Sequence, residues 1–136
     1  IDSGADIIWP SAGKSGLGAL EAVKERDVFG MGVDACQCYV NEKMLASMTK
    51  RVDIAVYETI KSAYDGTFQG GVLEKGVADG WVGMCRLSEE EEFWEEKYGF
   101  VHSVSFPQEV LDIVIEAQTK IKTGEIIVPR PTEFGG

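Results

Sequence analysis

The chain has 136 residues, 44% of them hydrophobic and 26% charged, with a mean hydropathy of −0.07. That is the length of one domain with enough apolar material for a core, and it excludes a disordered or collagen-like chain. Lys and Arg number 13 against 23 Asp and Glu, a net charge of −10. A chain this acidic repels phosphate backbones and anionic bilayers, so no nucleic-acid or membrane-surface partner is expected.

No run approaches the ~20 apolar residues of a membrane-spanning helix. No basic and apolar leader opens the chain either. The opening Ile1–Asp6 reads as the end of a helix running straight into a strand. The chain is therefore expected to be a piece of a longer protein whose earlier part holds any targeting signal. There are three cysteines, Cys36, Cys38 and Cys85, and one histidine, His102. Three is too few for a disulfide framework, Cys36-x-Cys38 is too tight for usual zinc spacing, and His102 lies far away. The thiols are expected to be small buried or half-buried side chains.

In chain order, Ala5–Pro10 is an apolar run that suits a buried strand. Ser11–Gly18 reads as a glycine-rich turn, and a helix is expected over about Leu17–Arg26, with Leu17, Leu20 and Val23 forming its apolar stripe. Val28–Val33 is a second buried strand, so the three elements form a β-α-β unit with a parallel strand pair. Asp34–Lys43 is polar and irregular, a loop. Met44–Met48 is read as a short strand or extended segment. Arg51–Tyr64 has the clearest helical pattern, with Val52, Ala55, Val56, Ile60 and Ala63 on one face and Asp65-Gly66 ending it. Gly70–Cys85 is read as two short strands or extended segments with a turn at Ala78-Asp79-Gly80. Ser88 followed by Glu91 matches a capping box that opens an acidic helix containing Trp94. Pro107–Thr123 is the last helix, closed by Gly124, and Glu125–Val128 is a short apolar strand or tail.

Several residues invite functional readings. Gly13-Lys14-Ser15 after a strand suggests a phosphate loop, but that pattern needs a glycine at the position of Ile8. What remains is a helix N-terminus whose amides can bind an anion or a sugar oxygen, or a turn that needs glycine for geometry alone. Asp34 follows the second parallel strand, at the sheet edge where ligands of open α/β folds bind. A carboxylate there can accept both hydroxyls of a ribose diol, or it can be an ordinary turn aspartate. Lys50 can donate to a sugar oxygen or offset Asp34, or it can be a solvated charge at a helix start. Trp9, which leads into the glycine turn, is the tryptophan best placed to stack on a flat ligand, though packing accounts for most tryptophans. No catalytic set, no metal site and no cofactor are expected.

Together these segments resemble a known family. Gly4-Ala5-Asp6-Ile7-Ile8, Ala12-Gly13-Lys14-Ser15-Gly16-Leu17-Gly18, Gly32-Val33-Asp34, Leu45–Tyr57, Asp65-Gly66-Thr67-Phe68 and Ile121–Pro129 are similar to the basic membrane protein family. These are the purine-nucleoside-receptor-like substrate-binding lipoproteins of ABC importers. The resemblance implies an α/β fold of the type I periplasmic-binding-protein kind, a doubly wound sandwich of which residues 1–136 would be only the C-terminal part, one α/β unit of a two-lobed protein. It implies capture of a nucleoside in the interlobe cleft without covalent chemistry, outside the cytoplasm, and handover to a transporter permease. It also implies a backbone contact from Gly13, with Asp34 and Lys50 on the ribose hydroxyls. The family pattern after the aspartate is a small residue, an acid and Gln; here Cys36 stands in place of the acid. Lacking its partner strands, the piece is expected to expose apolar surface and to dimerise or associate with the rest of the protein. A small enzyme acting on a nucleotide or sugar, or a ligand-sensing receptor domain, are the alternative readings.

Overall fold

The computed structural model describes residues 1–86, 96 and 104–129. Four strands form one sheet in the order β1 (Ile7–Ile8), β2 (Phe29–Gly32), β3 (Met44–Lys50) and β4 (Val82–Met84). β1 runs parallel to β2 and β2 parallel to β3, whereas β4 is antiparallel to β3. Between β1 and β2 the chain makes α1 (Lys14–Glu25), completing the β-α-β unit expected from the sequence. β3 is one of the two inner strands. Its hydrophobic Met44, Leu45 and Ala46 and its polar Ser47 and Thr49 are all buried, so it reads as an almost continuous buried segment rather than an alternating one.

α1 begins three residues before the expected Leu17, and Gly16 and Gly18 lie inside it. The turn is therefore confined to the residues up to Gly13. Its buried side is Gly16, Leu20 and Val23, while Leu17 keeps 37% of its surface exposed. The stripe thus follows steps of four and three, which keeps one face on the sheet better than uniform steps of three. Leu20 joins Cys36, Cys38, Met44 and Cys85 in the core, with Val40 packed against them.

α2 (Val52–Tyr64) lies where its periodicity put it and ends at Gly66, whose φ of 71° is the left-handed value of a helix-terminating glycine. None of its residues is buried, however. Of the two strands or extended segments expected in residues 70–85, the second is the strand β4, the first is backbone without a strand partner among the described residues, and between them lies a 3-10 turn at Val77–Asp79. That turn is closed by Asp79, whose carboxylate accepts from the Gly76 N–H at 3.0 Å and from Lys75 at 2.8 Å. The last helix, α3 (Gln108–Lys122), starts after Pro107 as expected and packs on the 3-10 turn. Arg86 anchors the approach to it: the guanidinium donates to the Leu45 and Val104 carbonyls and lies 4.7 Å from the centre of the Phe106 ring. Residues 125–128 form an exposed tail, not a strand. The capping box at Ser88, Trp94 and His102 lie outside the described residues.

Candidate functional site

Because β1, β2 and β3 are parallel, their C-terminal ends share one sheet edge. Trp9 follows the last residue of β1, Asp34 stands two residues beyond β2, and Lys50 is the last residue of β3. Gly13 caps the N-terminus of α1 on the same connection as Trp9. The four residues singled out from the sequence therefore come to one edge of the sheet.

Asp34 and Lys50 form an ion pair, Oδ1 to Nζ 2.6 Å, with both side chains about half exposed. The main chain joins them as well, since the Lys50 N–H donates to the Asp34 carbonyl at 2.9 Å. Asp34 has φ +71°, a left-handed conformation uncommon outside glycine and one that a local network must hold in place. That network is visible. The Gln37 side-chain oxygen accepts from the Val33 N–H at 2.9 Å, and the Gln37 N–H donates to Ser47 Oγ at 2.9 Å. The Ala35 N–H closes a tight turn onto the Val33 carbonyl at 2.9 Å. Gln37 thus bridges the start of the loop to β3, with Asp34 held between the two anchors.

Gly32 makes this approach feasible. It pairs in register with Ser47, and an added Cβ would stand 2.3 Å from Ser47 Oγ and 2.8 Å from Gln37 Cβ and Oε1. Its carbonyl also accepts from Trp9 Nε1 at 3.1 Å, which fixes the half-exposed indole across the ends of β1 and β2. Gly13 has φ +54° and ψ −135°, a combination L side chains rarely adopt, at a point where a Cβ would touch nothing. Its glycine is required by backbone conformation, and it starts a helix whose first N–H groups have no partner within the helix.

Chemically, the edge offers a carboxylate acceptor held beside an ammonium donor, a helix N-terminus and a flat aromatic face. That set suits the hydroxyls of a polyhydroxylated ligand. Gln37, Ser47 and Gly32 were not recognised as site-supporting residues from the sequence. The signal was present in Gly32-Val33-Asp34-Ala35-Cys36-Gln37, but only the strand register shows what Gln37 and Ser47 reach. The three cysteines are buried, as the sequence suggested, and Cys85 reaches the Cys36 and Cys38 sulfurs from β4's end.

The model of the family described as ABC transporter substrate-binding protein PnrA-like matches residues 1–130. An uncharacterized lipoprotein of Pyrococcus abyssi is 33% identical, over 96% of this chain and 38% of its own length. Basic membrane protein D of Borreliella burgdorferi is 39% identical over 57% of this chain and 21% of its own. Among solved structures, an ABC transporter system solute-binding protein from Aeropyrum pernix K1 superposes with a TM-score of 0.68 at 30% identity, covering 98% of this chain and 42% of that one. A transcriptional activator of the comK gene from Bacillus halodurans superposes with a TM-score of 0.73 at 22% identity over 90% of this chain and 39% of that one, a likeness of fold alone. This chain thus spans about two fifths of the archaeal relative and of both solved chains. On the extent of the family match, the chain belongs to the PnrA-like substrate-binding proteins of ABC transporters, the basic membrane protein family.

Proposed function

We propose that the Asp34–Lys50 edge is this chain's share of a purine-nucleoside site in the solute-binding component of an importer. The observation that carries this reading is the ion pair at the C-terminal ends of two adjacent parallel strands, with Asp34 held at positive φ. A carboxylate presents two acceptor oxygens, matching the two adjacent hydroxyls of a ribose. Lys50 keeps that carboxylate oriented while leaving other N–H groups for a sugar oxygen. The amides at the N-terminus of α1, entered through Gly13, supply further donors. Trp9 offers its face to the base or sugar. The residues that enclose the base from the other side belong to the rest of the protein.

On this reading the protein works outside the cytoplasm, as expected of a lipoprotein-type binding component, and delivers its ligand to a permease. The exposed apolar side of α2 meets the remaining part of the full-length protein or a second copy. Titration of the full-length protein with adenosine, guanosine and inosine, followed calorimetrically, tests the ligand. The Asp34→Ala variant should bind at least about 100-fold more weakly, about 2.7 kcal/mol. A nucleoside lacking both ribose hydroxyls should lose affinity for the wild type but little for the variant. Equal affinities for wild type and Asp34→Ala would remove the ribose reading, and conversion of any nucleoside during the titration would favour an enzyme instead.

A further inference from the structure

Cys36 and Cys38 leave the site loop and point into the core, and Cys85 meets them from the end of β4. Relative exposures are 1%, 7% and 0%. The three sulfurs all lie within 4.8 Å of one another, and Cys38 Sγ is 3.8 Å from Cys85 Sγ. A metal–thiolate bond is about 2.3 Å, so three sulfurs around one ion sit ~3.8–4.0 Å apart. The observed spacing needs only a small contraction to reach that. Leu20 and Met44 line the rest of the cluster. A water-poor, all-sulfur environment selects soft cations over Mg²⁺ or Ca²⁺. Structural zinc takes four ligands, and among the described residues no fourth His, Cys, Asp or Glu joins the three.

We propose that Cys36, Cys38 and Cys85 form a three-coordinate site for a soft monovalent cation, Cu(I), which clasps the site loop to β4. Loading is a ligand exchange without oxidation: Cu⁺ and three thiols give a tris-thiolate copper(I) group and three protons released to solvent. The bridged elements are already adjacent, since the Cys85 N–H donates to the Ser47 carbonyl at 3.1 Å and Ser47 Oγ holds the Gln37 N–H. Filling the site therefore stiffens the loop that carries Asp34. The inference rests on the thiol geometry and is independent of which solute the edge binds.

The test uses the reduced, full-length protein under anaerobic conditions, titrated with Cu(I) against a chromophoric bicinchoninate competitor. One equivalent should be withdrawn from the competitor, and Cys36→Ser, Cys38→Ser and Cys85→Ser should each weaken binding by about 100-fold or more. Should a variant misfold, the wild type still decides the matter. One equivalent of Cu(I) should protect all three cysteines from alkylation, read peptide by peptide by mass spectrometry. Three thiols alkylated equally fast with and without Cu(I), no copper taken from the competitor, or a Cys38–Cys85 disulfide in the protein as isolated would each overturn the proposal.

Discussion

Replacing Gly32 by alanine tests the account of the site most directly. The new Cβ would lie 2.3 Å from Ser47 Oγ and 2.8 Å from two atoms of Gln37, distances no relaxed methyl group tolerates. Backbone strain is not involved, because Gly32 is not among the residues of positive φ. Ser47 is fully buried and Gln37 is tied at both its amide and its side chain, so neither can yield without breaking a hydrogen bond. Overpacking of a tight interior costs about 1–3 kcal/mol, and a buried amide left unpaired costs about 1–3 kcal/mol more. A destabilisation of about 3 kcal/mol is therefore expected in urea unfolding of the full-length protein.

On the proposed function, the displaced Gln37 should also release Asp34 and weaken nucleoside binding about tenfold, the equivalent of ~1.4 kcal/mol. Adding Ser47→Ala removes the 2.3 Å contact, so the double variant should be more stable than the sum of the two single losses. A Gly32→Ala variant within about 0.5 kcal/mol of wild type, with unchanged ligand affinity, would refute the reasoning.

Other glycines separate conformational need from steric need. Gly18→Ala, in a helix with nothing within 4 Å, should stabilise by about 0.5–1 kcal/mol. Gly13→Ala, equally unobstructed but at φ +54°, should cost about 1–3 kcal/mol, both read from urea midpoints. Lys50→Met should leave stability within about 1 kcal/mol, since the ion pair is half exposed, yet on the proposed function should reduce nucleoside affinity on titration. Lys75 holds the Asp79 carboxyl below the usual carboxylate range, and Arg51 does the same for Asp53. Folded-state pKa values below the unfolded ones give stability that is present above the unfolded carboxylate range and lost as pH falls through the folded values, so acid unfolding should ease in Lys75→Met. The Cys85 thiol is pushed up to about 11, first by hydrogen bonding with Cys36. Its contribution is present below the ordinary thiol range and is lost as pH rises towards that value, which thermal melts at alkaline pH should show as a falling midpoint that Cys85→Ser flattens.

The elements legible in the sequence were those whose signals are local. Helix periodicity placed α2 and α3, the caps at Gly66 and Gly124 closed them, and the strand–turn–helix–strand pattern gave the parallel pair β1 and β2. The start of α1 was misplaced because its glycines read as turn residues. Inside the helix, Gly16 instead allows close approach to Pro10, whose carbonyl oxygen would stand 3.0 Å from a Cβ. Within 70–85 the choice between strand and extended segment stayed open for a related reason: glycine-rich sequence marks extended backbone without saying whether a neighbouring strand exists to pair with it, and only β4 is paired. At the candidate site, Asp34 was singled out from its place after a strand and Lys50 from its place before α2; that Lys50 also ends β3 beside Asp34 came only with the strand pairing. Gln37 and Ser47 were not singled out, since their value lies in the register of β2 against β3. The sulfur cluster was likewise hidden, because Cys85 reaches the other two only through the antiparallel β3–β4 pairing.

The remaining discrepancy concerns α2, where periodicity located the helix but burial did not follow. Val52, Val56, Tyr57 and Ile60 are each more than half exposed, although helical spacing groups them. A helix of 13 residues is marginal by itself in water, so its stability has to come from packing of that face. Within these residues the connections to α2 are few. The Trp81 indole N–H donates to Glu58 at 2.9 Å, and the Arg51 N–H donates to the Trp81 carbonyl at 2.8 Å. If the face is covered in the full-length protein, Ile60→Ser should cost about 1.5–3 kcal/mol, the value of burying such a side chain, and hydrogen exchange should slow along α2 on going from this segment to the full chain. If the face is open to solvent, the same substitution stays within about 0.5 kcal/mol. The comparison has a functional edge, because α2 starts two residues after Lys50 and so shares its anchor with the candidate site. Cover over α2 would then hold Lys50 in place against Asp34. Ile60→Ser should accordingly weaken ligand binding as well as folding, while an uncovered α2 would leave both unchanged.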